Sequence, residues 1–107
     1  LIVSRAGASA IFEIAQAGKP AILVPLRTAA NDHQRQNAYA YAKTGAAIVL
    51  EEENFLVNLV LSSMKRIIGD QAQRELMARA ARSFFVPDAD KKVAEDILRV
   101  AEQPFAP

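Results

Sequence analysis

The chain has 107 residues, of which 51% are hydrophobic, enough to build one small packed domain. Lys and Arg number 13 against 12 Asp and Glu, a balance that gives no general electrostatic case for binding nucleic acid. The lack of cysteine excludes disulfides and thiolate metal sites. No apolar run approaches the ~20 residues that span a bilayer as a helix.

Leu1-Ile2-Val3 reads as the end of a buried strand. A chain that opens in this way, without an initiator methionine, is expected to be the C-terminal part of a longer protein. The alternative is a small domain that has been processed or trimmed. Ser4 to Ser9 is a small-residue turn leading into a helix over 8–17, with Ile11, Ile14 and Ala15 on one face. Gly18 suits the left-handed turn that closes a helix, and Pro20 forbids continuation. Ala21-Ile22-Leu23-Val24, between Pro20 and Pro25, suits a strand buried on both faces of a parallel sheet. Residues 25–32 read as a polar loop, His33 to Lys43 as a helix stopped by Gly45, and Ala46 to Leu50 as another buried strand.

This β-α-β-α-β order with short connections implies an α/β fold, a Rossmann-like parallel sheet with flanking helices. Helices then dominate. Asn54 is a candidate cap for one with Leu56, Leu59, Val60 and Ile67 among its apolar positions, ending at Gly69. Asp70 is a candidate cap for the next, with Leu76, Ala80 and Phe84 inward. Pro87-Asp88 breaks that helix, a last one runs from Ala89 to Glu102, and Gln103 to Pro107 form a loose tail. The expected organisation is therefore residues 1–50 as alternating strands and helices, 51–103 as mainly helical, and 104–107 as a tail. A doubly wound domain has about five or six strands, so the missing ones are expected upstream.

Ligands of open parallel sheets bind beyond the carboxyl ends of the strands. Three loops reach that edge: residues 4–9, 25–34 and 51–54. In the first, the backbone N–H groups around Gly7, Ala8, Ser9 and Ala10 face outward from a helix start and suit an anion, best a diphosphate. Glu13 lies just over one turn deeper, where its carboxylate can accept two hydrogen bonds from a vicinal diol such as a ribose. The plainer readings are a turn glycine at Gly7, a solvated acid at Glu13 and a surface arginine at Arg5. In the second loop, Asp32 is a candidate N-cap, and Gln34 and Asn37 share a helix face that could meet sugar hydroxyls. His33, the single histidine, lacks the three or four ligands that a metal site needs. A general-base role for it is open in principle. Lys65, Arg66, Arg74, Arg79, Arg82, Lys91 and Lys92 are interspersed with acids and read as a solvated face rather than a membrane patch.

The ordered combination of Ser4-Arg5-Ala6-Gly7-Ala8-Ser9, Glu13, Gly18-Lys19-Pro20-Ala21-Ile22-Leu23-Val24-Pro25, Asp32-His33-Gln34, Asn37-Ala38 and Gly45-Ala46-Ala47 resembles the MurG family. These are the bacterial UDP-N-acetylglucosamine–N-acetylmuramyl-(pentapeptide) pyrophosphoryl-undecaprenol N-acetylglucosamine transferases. The likeness runs almost to the chain end. Gly-Lys-Pro alone is a weak signal; the ordered set is a strong one. The resemblance implies the later half of the C-terminal, donor-binding domain of a two-domain GT-B glycosyltransferase. It implies that Gly7, Ala8, Ser9 and Ala10 hold the UDP diphosphate, that Glu13 holds the ribose, and that Gln34, with Asn37 as a second contact, meets the N-acetylglucosamine hydroxyls. Family members often carry Ser or Thr where this chain has Ala10, which leaves only backbone donation there.

The implied reaction is inversion at the anomeric carbon with no metal and no cofactor, the lipid-linked muramyl-pentapeptide being the acceptor. The implied setting is peripheral, at the cytoplasmic face of the bacterial inner membrane. The acceptor-side groups and the general base are expected outside this chain, so no catalytic residue is assigned within it. Two alternatives remain at this point: a UDP-sugar 2-epimerase of the same architecture, whose second loop differs from Asp32-His33-Gln34, and a non-catalytic nucleotide-binding module.

Overall fold

The computed structural model describes residues 1–26, 32–51 and 57–84. Asn31, Asn54, Leu56, the Pro87-Asp88 break, Lys91, Lys92, the expected last helix and the tail lie outside the described residues. Three parallel strands, β1 (Ile2–Ser4), β2 (Ala21–Leu23) and β3 (Ala47–Val49), lie in the order β1-β2-β3. Ile2 pairs with Ala21 and Ala21 with Ala47, so the strands start level and their carboxyl ends form one edge. Helix α1 (Ala8–Ala17) joins β1 to β2, and α2 (His33–Ala42) joins β2 to β3; α3 (Val57–Ile68) and α4 (Gln71–Phe84) follow.

The strand faces alternate as a pleated ribbon requires. Ala21 and Leu23 enter a core with Ile11, Ile14, Ala15, Ala38 and Tyr41 from α1 and α2. Ile22 faces the other way, onto Ile67 of α3 and Met77 of α4. β2 is therefore fully buried on both faces, as its unbroken apolar run predicts. The expected inward face of α1 is the observed one.

α4 departs from expectation. Its buried residues are Met77 and Ala81, one position later than the predicted set, and Leu76 is 62% exposed. The reason is that α4 serves both cores, with Met77 in one and Ala81 in the other. It passes the amino ends of the strands, with Ala80 beside Gly45 and Arg82 beside Gly18. Phe84 still meets the core edge-on, its ring centroid 4.9 Å from that of Tyr41. Gly18 has φ +64°, and its N–H donates to the Ile14 and Ala15 carbonyls, the left-handed closure read from the sequence. A Cβ there would stand 2.9 Å from Arg82 Cγ, so the same glycine also admits α4. Asp70 caps α4 as expected, its Oδ1 accepting from Gln73 N–H at 3.0 Å. Arg74 Nη1 donates to the Ile67 and Ile68 carbonyls and so closes the end of α3.

Candidate donor-binding site

The sheet's carboxyl edge gathers the predicted residues from two loops. β1 ends at Ser4, and α1 starts at Ala8 with Gly7 as its N-cap. The first intrahelical bond runs from Ile11 N–H to the Gly7 carbonyl, at 3.0 Å. The amides of Ala8, Ser9 and Ala10 precede it and have no acceptor in their own helix. Among the described residues no side chain caps this end, and no acid lies in the first turn. The positive end of the helix dipole thus faces the edge without a counter-charge in its own first turn. By contrast α4, away from this edge, is capped by its own aspartate.

Gly7 has φ −64° and ψ 153°, a conformation open to any residue. The tight-turn reason for this glycine therefore falls. A Cβ on Gly7 would meet only Gln34 Nε2, at 3.9 Å, which is ordinary contact. Nothing among the described residues needs a glycine there, and a bare Cα leaves room for close approach of a ligand to the main chain. Ser9 and Glu13, four residues apart and both exposed, share a face of α1. Side chains on a helix lean toward its amino end, so the Glu13 carboxylate lies on the side of the free amides.

Gln34 and Asn37 are brought to the same loop from α2. Gln34 Oε1 accepts from Leu26 N–H at 2.8 Å and from Ala6 N–H at 3.3 Å. Asn37 Nδ2 donates to the Ala6 carbonyl at 3.5 Å. The donor end of Gln34, Nε2, is left beside Gly7. Asp32 occupies the N-cap position of α2 but makes no side-chain cap bond; its backbone carbonyl accepts from Gln36 N–H at 3.1 Å. The expected carboxylate cap is absent because ψ near 6° at Asp32 departs from the extended conformation that aims a capping side chain at the first turn. His33 opens α2 and is exposed. Among the described residues no three His, Cys, Asp or Glu side chains cluster as a metal site.

One part of this edge escaped the sequence reading. Glu51, just past β3, accepts from Arg35 Nε at 2.8 Å and from the Tyr39 hydroxyl at 2.5 Å. Arg35 also lies over the Tyr39 ring, 5.8 Å from its centroid. The hydrogen bond to Glu51 raises the pKa of both Arg35 and Tyr39. The usable signal was the Arg35–Tyr39 spacing of four on an exposed helix face, together with the placement of residue 51 at the ligand edge.

Comparison with known proteins fits this geometry. The sequence model of the glycosyltransferase family 28 C-terminal domain matches residues 1–93. The chain belongs to that family. The resemblance to MurG proteins also holds. A UDP-N-acetylglucosamine--N-acetylmuramyl-(pentapeptide) pyrophosphoryl-undecaprenol N-acetylglucosamine transferase of Phenylobacterium zucineum is 41% identical over 94% of this chain and 28% of its own length. The protein of the same name from Caulobacter vibrioides is 38% identical over the same shares. The crystal structure of Acinetobacter baumannii MurG superposes with a TM-score of 0.75 at 32% identity, covering 92% of this chain and 28% of that one. The chain thus spans about a quarter of the length of these relatives and is a family 28 donor-binding domain of GT-B architecture, present in part.

Proposed function

We propose that this family 28 domain holds UDP-N-acetylglucosamine for an inverting transferase that delivers the sugar to a lipid-linked muramyl-pentapeptide. The observation that carries the reading is the uncapped start of α1 at the carboxyl edge of the sheet, with Gln34 and Asn37 held against it. The amides of Ala8, Ser9 and Ala10 bind the diphosphate, and Gly7 lets it approach the main chain. Glu13 accepts both ribose hydroxyls. Gln34 Nε2, with Asn37 next to it, faces the sugar. When the glycosidic bond to phosphate breaks, negative charge grows on the departing diphosphate. Backbone donors already fixed in place stabilise that charge without reorganisation.

The groups that hold the acceptor and the base that deprotonates its hydroxyl come from the rest of the full-length protein. A lipid-linked acceptor puts the reaction at a membrane surface, here the cytoplasmic face of the bacterial inner membrane, with the protein bound peripherally. The relatives' printed names support the transferase over the epimerase and the non-catalytic alternatives.

The test is titration of the full-length protein with UDP and uridine. Glu13→Ala should weaken both, because the ribose contact is common to them. A charge-assisted hydrogen bond is worth about 1.5–3 kcal/mol, so the loss should be about tenfold or more. Unchanged affinity for both ligands rejects the ribose assignment.

A further inference from the structure

The carboxyl ends of β1 and β2 separate in an ordered way. The last rung of their parallel ladder is Val24 N–H to the Ser4 carbonyl, at 2.8 Å. With Ser4 opposite Leu23, a continuing ladder would next pair Ala6 N–H with the Val24 carbonyl, and then Leu26 N–H with the Ala6 carbonyl. All four of these groups are instead taken by side chains. Gln34 Oε1 accepts from both Ala6 and Leu26, Asn37 Nδ2 donates to the Ala6 carbonyl, and Arg5 Nη1 donates to the Val24 carbonyl at 3.4 Å. Ala6 is completely buried, and a buried N–H left without an acceptor is strongly disfavoured. The strands can part at this point only because these side chains replace the missing rungs. The parting turns the loop at Gly7, and the amides behind it, to the carboxyl edge of the sheet.

We propose that Gln34 is a positioning residue for the diphosphate. Its carbonyl oxygen bridges the exits of β1 and β2 and fixes the amides of α1 in place before any nucleotide arrives, with Asn37 holding the other side of the same peptide. This rests on the reading that those amides hold the diphosphate. It differs from a sugar contact, which uses the other end of the Gln34 amide and acts only when the sugar is present.

The test uses the ligand-free full-length protein and its wild-type, Gln34→Leu and Gln34→Glu forms. Hydrogen exchange at the Ala6 and Leu26 amides is read first, then binding of UDP, uridine and UDP-N-acetylglucosamine. Wild type should protect both amides. Gln34→Leu, which has no acceptor, should speed their exchange at least tenfold. Gln34→Glu, which keeps an acceptor oxygen, should retain the protection. Gln34→Leu should also weaken UDP about tenfold, equivalent to about 1.4 kcal/mol, while uridine, which lacks the phosphates, stays within twofold. Unprotected amides in wild type overturn the brace, and this holds even if Gln34→Leu does not fold. Unchanged exchange in Gln34→Leu also overturns it, as does a loss confined to UDP-N-acetylglucosamine with UDP unaffected. If exchange responds as expected but wild type binds no UDP, the brace stands and the diphosphate reading fails.

Discussion

Gly7→Ala separates folding from ligand binding at one carbon atom. The backbone at Gly7 has φ −64° and ψ 153°, so alanine fits without strain. Among the described residues the added methyl meets a single side-chain atom within 4 Å, Gln34 Nε2 at 3.9 Å. Two small terms then oppose each other. Reduced freedom of the unfolded chain stabilises by about 0.4–1 kcal/mol, and a poorer N-cap residue costs at most about 1 kcal/mol. Their sum is close to zero, so the melting temperature of the full-length protein should shift by no more than a few degrees. Ligand binding responds differently. A diphosphate against the main chain at Gly7 would occupy the space of the new methyl and be pushed away from the amides of Ala8, Ser9 and Ala10. Loss of one charge-assisted bond is worth about 1.5–3 kcal/mol, or about ten- to a hundredfold in Kd. Calorimetric titration with UDP, paired with a thermal melt, reads both quantities. Affinity within twofold of wild type together with a normal melt refutes close approach at Gly7.

Gly18→Ala should do the reverse. A left-handed alanine is disfavoured by about 1–2 kcal/mol, and its Cβ would press on Arg82 Cγ from 2.9 Å; chemical denaturation should show that loss while UDP affinity holds. Tyr39 should ionise above the ordinary phenol value of 10.0 because its hydroxyl donates a hydrogen bond to Glu51, which favours the neutral phenol. This coupling favours the folded state below that ordinary value and is lost as pH rises through the raised one. Phenolate absorbance in Glu51→Gln should show a lower midpoint, and an unmoved one contradicts the contact. The 107 residues alone should transfer no labelled N-acetylglucosamine; measurable transfer would place the base within them.

Features governed by near neighbours along the chain were readable from its letters. The Ala21–Leu23 strand, the α1 face of Ile11, Ile14 and Ala15, and the closure at Gly18 follow from local periodicity and backbone preference. The helices at 8–17 and from His33 onward lie where they are expected. What could not be read depended on three-dimensional neighbours. α4 presents Met77 and Ala81 because it bridges two cores, and a single-face pattern cannot encode that. Asp32 sits at a cap position without capping, because its own backbone angle turns the carboxylate aside. The Gln34 bridge joins groups 28 and 8 residues away, and its meaning appears only once the register of β1 on β2 is known. Gln34 and Asn37 lie beside the carboxyl edge of the sheet, where their loop puts them, but their bonds to the Ala6 peptide have no local signature.

The bare start of α1 has a consequence for how this domain tolerates change. A serine at position 7 could hydrogen-bond the first turn and make a sturdier helix, by a few tenths of a kcal/mol over glycine. That hydroxyl would then compete from within for the donors assigned to the proposed nucleotide. Selection for heat resistance and selection for donor affinity therefore pull this position in opposite directions. The full-length protein should gain stability from its proposed guest instead, melting higher as UDP is added and in proportion to the logarithm of its concentration above Kd.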